Sequence, residues 1–191
     1  MPSADINNVP LNSILVSKNV ARALKQLFLS RKPDIDQLLQ KAGYKRMDGS
    51  SKPAELAQVL IGINPDRKKI QSFPSICIFV SSREPSWMHW RATNDKVSVR
   101  LFCCVQFTEN TPAEEFMYDF TEICNSILMS SPTLPFFLEE DGPDGEPAIF
   151  DHQFMTALPR ITYGTLDGDY IRAGQIDWTG EVLLPHPNML F

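Results

Sequence analysis

The feature that most limits how this chain folds is one run of alternating residues. Val97, Val99, Leu101, Cys103, Val105 and Phe107 alternate with Ser98, Arg100, Phe102, Cys104 and Gln106. Successive side chains of a strand point to opposite faces, so this period of two specifies a long strand with one strongly apolar face. A lone strand of that kind is unstable in water and needs neighbouring strands and a covering layer. The cover follows at once. Thr111-Pro112-Ala113-Glu114 has the form of a capping box with proline at the first helical position. Behind it, Phe116, Phe120, Ile123 and Ile127 form a stripe that Met117, Cys124 and Leu128 widen, and Ser130-Ser131-Pro132 closes it. The spacing predicts a helix over 111–129 with its broad apolar face on the sheet.

The rest of the chain is read around this pair. Ile76-Cys77-Ile78-Phe79-Val80 is apolar on both faces and predicts a buried strand, with residues 83–95 as a connection and Asn94-Asp95 as a turn. Beyond the helix, 148–155 and 160–163 read as short strands and Asp167-Gly168-Asp169 as a turn. Tyr170 to Trp178 alternates as a further strand, and Gly180 is expected to bulge it before Val182-Leu183-Leu184. Towards the N-terminus, Asn12 or Ser13 caps a helix in which Val16, Val20, Leu24, Leu27 and Phe28 turn inward, with Lys18, Arg22 and Lys25 on the other side. Lys32-Pro33 ends it. A second short helix starts at Asp34 with Ile35, Leu38 and Leu39 inward and stops at Gly43. Residues 44–53 read as a loop and 53–61 as a third short helix. The order is helices, then β-β-α, then β-β-β. It predicts an α+β fold: a small mixed or antiparallel sheet with a helix packed on one face, preceded by an N-terminal helical region. The expected division is a helical region over 1–72 and an α+β domain over 73–191.

Composition excludes several classes. Of 191 residues, 43% are hydrophobic and 21% charged, which argues against wholesale disorder. The longest purely apolar runs, such as Leu101–Val105, are too short to span a membrane, and the opening Met1-Pro2-Ser3-Ala4-Asp5 has no export signal. The expectation is a soluble protein in a reducing cytoplasm. There Cys77, Cys103, Cys104 and Cys124 are buried reduced thiols, with Cys103 and Cys104 on opposite faces of their strand. Charge is divided unevenly: residues 1–75 hold 12 Lys and Arg against 6 Asp and Glu, and residues 76–191 hold 6 against 17. The division reads either as two solvated faces of a monomer or as complementary surfaces that meet between copies.

Catalytic patterns are missing. The nine glycines form no phosphate-binding loop, the three histidines (His89, His152 and His186) form no ligand cluster, and no serine sits in a nucleophile elbow. Asp151-His152 is the remaining catalytic candidate, without a nucleophile to serve. The acidic loop Glu139-Glu140-Asp141-Gly142-Pro143-Asp144-Gly145-Glu146 lacks the alternating ligands of a calcium loop. The basic run Arg67-Lys68-Lys69 and its surroundings lack the aromatic interleaving of a nucleic-acid site. The expectation is no enzyme, no cofactor, no metal and no specific nucleic-acid binding. The segment Trp87-Met88-His89-Trp90-Arg91 is enriched in the types found at interface centres. It either folds back on the core or plugs a neighbouring subunit. Trp87, Met88, Trp90 and Arg91, with Arg67, Lys68 and Lys69 as basic contacts and Glu139, Glu140 and Asp141 as acidic ones, are the candidate interface residues.

The strand Pro74–Val80, the long strand Lys96–Phe107, the helix over 111–129 and the finish Ile161-Thr162-Tyr163-Gly164 followed by residues 169–180 come in an order that resembles the tail-terminator and neck proteins of tailed bacteriophages. The resemblance covers residues 73–185. It implies a small mixed sheet flanked by helices and copies that close into a ring, usually of six. That ring would cap the tail tube or sheath and meet the head connector in a virion assembled in the host cytoplasm. The competing expectation is a non-catalytic cytoplasmic adaptor that binds one host partner as a monomer or dimer.

Overall fold

The computed structural model describes residues 16–46, 50–62, 70–89, 92–106, 112–136, 148–151, 159–166 and 170–185. Among them are three helices, α1 (Val16–Ser30), α2 (Lys32–Lys41) and α3 (Ala113–Met129). The strands are β1 (Gln58–Ile61), β2 (Ser75–His89), β3 (Ala92–Gln106), β4 (Thr133–Phe136), β5 (Ala148–Asp151), β6 (Arg160–Leu166) and β7 (Ile171–Pro185). The strands form one sheet in the order β1-β2-β3-β7-β5-β4, with β6 also paired to β7. Only β1 and β2 run parallel, so the sheet is mixed and the fold is α+β.

The alternating run is the middle of the sheet. β3 pairs with β7 along its full length, from Ala92 opposite Pro185 to Gln106 opposite Ile171, without a register shift. Gly180 therefore makes no bulge and stands opposite Val97. The bulges lie in β2, between Val80 and Ser82 and between Trp87 and His89. The outer edge of β7 is shared: β6 takes Ile171 to Asp177 and β5 takes Glu181 to Leu183.

One face of the sheet carries the main core. Val97, Val99, Leu101, Cys103 and Val105 of β3 meet Ile76 and Ile78 of β2, Ile176, Trp178 and Val182 of β7, and the apolar stripes of the helices. Phe28, Phe116 and Phe120 are fully buried there, each worth roughly 1.5–3 kcal/mol of transfer free energy. Helices α1 and α3 both contribute to this core, so the N-terminal helical segment and the sheet share one interior. Helix α1 packs on β1 and β2 and also on β4, the two ends of the strand order, so the sheet curls around it. Helix α3 lies over β3 and β7 and comes closest at Gly174, where a Cβ would stand 1.9 Å from Thr121 Oγ1. The opposite sheet face holds a second cluster, Cys77, Phe102, Cys104, Ile171 and Ala173, covered by Ile70 and Phe73. Cys103 and Cys104 thus enter different cores, as their adjacency in a strand requires. All four cysteines are free and buried.

Several expectations are corrected. Residues 53–61 do not form a helix. Their amides find acceptors elsewhere: Ala54 N donates to Tyr44 O, Leu56 N to Asp36 Oδ1 and Ala57 N to Pro74 O. With those bonds committed the chain stays extended and enters the sheet as β1. Val59 then faces the main core and Leu60 the second cluster. Residues 83–95 are not a plain connection, because β2 and β3 continue as a hairpin to His89 and Ala92. Leu38 points outward at 43% exposure, while Ile35 and Leu39 face in. Only Arg31 separates α1 from α2, with Pro33 in the first turn of α2. Strand β4 was unforeseen, and its Pro135 is tolerated because β4 ends the strand order. The expected caps at Asn12, Ser13 and Thr111 and the strand end at 152–155 lie outside the described residues.

Candidate functional site

The long β2–β3 hairpin is the most distinctive construction. Each strand has 15 residues, so the pair spans about 45–50 Å at a rise of about 3.3 Å per residue. Near the sheet's middle β2 is paired on both sides. Strand β1 accompanies it only from Ser75 to Ile78, whereas β3 accompanies it to the tip. From Phe79 to His89 the outer edge of β2 has no strand partner among the described residues. The inner side of this arm is reinforced by β7, whose Val182 to Pro185 pairs with Asp95 to Ala92. Charges are set across the arm in register: Lys96 stands opposite Glu84 on β2 and Glu181 on β7. At the arm's root Arg83 Nε donates to Asp95 Oδ2 at 2.5 Å, and the Asp95 side chain is fully buried.

Of the sequence-selected residues, Trp87 and Met88 fall on this arm. Trp87 pairs with Thr93 in the backbone register, and Met88 occupies the bulge before His89. Trp90 and Arg91, Arg67, Lys68 and Lys69, and Glu139, Glu140 and Asp141 lie outside the described residues. Asp151 closes β5 opposite Thr133 and Glu181, while His152 and His186 lie outside the described residues.

The outer surface of the helical layer was not singled out from sequence. Helix α1 carries Lys18, Arg22 and Lys25 and no carboxylate. Helix α3 carries Glu114, Glu115, Asp119 and Glu122 and no lysine or arginine. Tyrosines frame the acidic helix. Tyr44 stacks on Phe116 at 4.3 Å between ring centroids and donates from its hydroxyl to Asp119 Oδ2 at 2.7 Å. Tyr163 of β6 packs edge-on against Tyr118 at 4.7 Å and donates to Glu122 Oε1 at 3.1 Å. Burial, the bond to the Glu122 carboxylate and its negative charge push the Tyr163 phenol up to about 12. The same causes, with Asp119 as partner, raise Tyr44 further. Leu29, Leu38, Tyr118, Met129 and Tyr163 are the large exposed hydrophobics among the described residues. The missed signal was available: the sign of charge on α1 and α3 is uniform in each helix, and only their exposure to one side was unknown.

A cavity of about 460 Å³ lies near the start of β2, beside Phe73, Gln106 and Leu56. Its cations are already engaged. Lys32 Nζ donates to Asp36 Oδ2 at 2.7 Å and to Leu56 O at 2.8 Å, and Arg46 pairs with Glu55 at 2.7 Å. The polar part of the second sheet face is similarly self-contained, with Arg100 donating to Asp177 Oδ1 at 2.8 Å and Gln175 to Asp177 Oδ2 at 2.6 Å. The thiols are buried and interact in pairs, Cys77 with Cys104 between strands and Cys103 with Cys124 between the sheet and α3. Burial and the bond to Cys124 hold Cys103 well up, and the bond to Cys77 followed by burial holds Cys104 up. Among the described residues no cluster of three or more His, Cys, Asp or Glu side chains is placed to hold a metal ion. No helix among them is long and apolar enough to cross a membrane. The chain matches no known family, and comparison with curated proteins finds no match.

Proposed function

We propose that this chain is a structural subunit of the neck of a tailed phage, the tail terminator. In this reading its copies close as a ring that caps the tail tube and joins it to the head connector, working through surfaces rather than through catalysis. The observation that carries the reading is the arm. A strand edge without a partner is a template for pairing with another chain, and β2 offers one along about ten residues among those described. Trp87 and Met88 lie on that strand, and Trp90 and Arg91 follow it in the sequence. Ring closure needs a head-to-tail contact between two different patches of the same molecule. A chain with a long β2 edge and with charge divided between α1 and α3 has different patches to offer. The order of elements over residues 73–185 supports the same reading by resemblance.

The test is the mass of the purified protein by light scattering over a range of concentrations and two salt levels. A discrete species near six times 21.6 kDa is expected. The Trp87→Ala, Trp90→Ala double variant is expected to lose it while keeping the circular dichroism of the parent. A monomer at every concentration would replace the ring with the monomeric adaptor.

A further inference from the structure

The two oppositely charged helices lie in one layer, and this points to how copies meet. Helix α1 and helix α3 bury one face each in the same core and present the other outward. The fifteen residues of α1 hold three cations and no anion, and the seventeen of α3 hold four carboxylates and no Lys or Arg. Asp119 and Glu122 accept hydrogen bonds from neutral tyrosine hydroxyls, which satisfy the oxygens but do not cancel the charge. The large exposed hydrophobics gather on the same layer. Leu29 ends α1, Leu38 is on α2, Tyr118 and Met129 are on α3, and Tyr163 of β6 leans on Tyr118. Exposed apolar side chains ringed by charge mark a protein contact, with the charges setting the partner and the orientation.

We propose that the outer face of α1 in one copy docks on the outer face of α3 in the next. This rests on the ring reading and makes the helical layer a part of the ring's contact, beside the β2 arm. The occupant is a second copy because the two patches complement each other in sign and are present in equal number in any assembly of identical chains. Tyr118 and Tyr163 supply the apolar centre on the acidic side, with Lys18 and Lys25 the cations that face the carboxylates.

Four proteins test this by sedimentation velocity at low salt and at about 0.5 M salt, where exposed charges are screened within a few ångströms. They are the parent, Lys18→Glu with Lys25→Glu, Glu115→Lys with Glu122→Lys, and all four changes in one chain. Each reversal alone is expected to weaken assembly at least about tenfold, and the combined chain to recover it. Tyr118→Ala, which removes an exposed ring, is expected to weaken assembly without changing the fold. A ring indifferent to both reversals would overturn the docked helices and leave the ring standing. A parent monomeric at all concentrations would overturn both. A discrete pair of subunits that either reversal dissolves would support the docked helices and overturn the ring.

Discussion

Gly174 shows how closely a single residue sets the distance between layers. A Cβ there would stand 1.9 Å from Thr121 Oγ1 and 2.8 Å from Thr121 Cβ, and Thr121 is held by its own bond to Met117 O at 2.6 Å. Gly174→Ala must therefore lift α3 off β7. The expected loss is about 2–4 kcal/mol in urea unfolding, with partial recovery when Thr121→Ala is added. The tyrosine pairs give a second residue-level outcome. An unfolded phenol ionises near 10.0, whereas folded Tyr163 holds its proton up to about 12. A raised folded value contributes stability that is complete below the unfolded value and lost as pH climbs through the folded one. The parent is thus expected to lose stability between about pH 10 and 12. Tyr163→Phe is expected to lose less over the same interval, as urea midpoints at stepped pH will read out.

At the scale of the element, the arm's root depends on one buried pair. Asp95 is fully buried, one of its oxygens meets Arg83, and Oδ1 has no hydrogen-bond partner among the described residues. Removing the guanidinium leaves a buried carboxylate uncompensated, so Arg83→Ala is expected to destabilise by about 3 kcal/mol. Replacing both partners with apolar residues, Arg83→Met with Asp95→Leu, is expected to be milder than Arg83→Ala alone. Elements with strong periodicity were legible in the sequence. The alternation around Leu101 gave β3, the stripe from Phe116 to Ile127 gave α3, and Val16 to Phe28 gave α1. The outer hairpin was not. From Arg83 to His89 the residues are polar, proline-bearing and aromatic by turns, and their strand state comes from partners on β3 rather than from local pattern. Strand β1 was hidden for a similar reason, since Asp36 and Pro74, distant in sequence, take the amides that a helix would have used. The candidate surface divides the same way. Uniform charge on α1 and on α3 is visible in the sequence, but that both lie outward in one layer depends on the fold.

At the scale of the molecule, the proposed contacts use two surfaces of different construction: the β2 edge with backbone groups, and the helical layer with charge and aromatic rings. Contacts of the first kind tolerate salt, and contacts of the second weaken with it. Strand β7 partners β3 on one side and β5 and β6 on the other, and it is the last of the described strands to leave the ribosome. Until it emerges, β3 has no neighbour on that side and β5 and β6 have no route into the sheet. The longest pairing of the sheet, β3 with β7, therefore joins segments far apart in sequence and forms late. A nascent chain stalled before Ile171 would display apolar strands without their central partner, the state in which chaperones find their clients. Making β7 and completing the sheet are thus the same step.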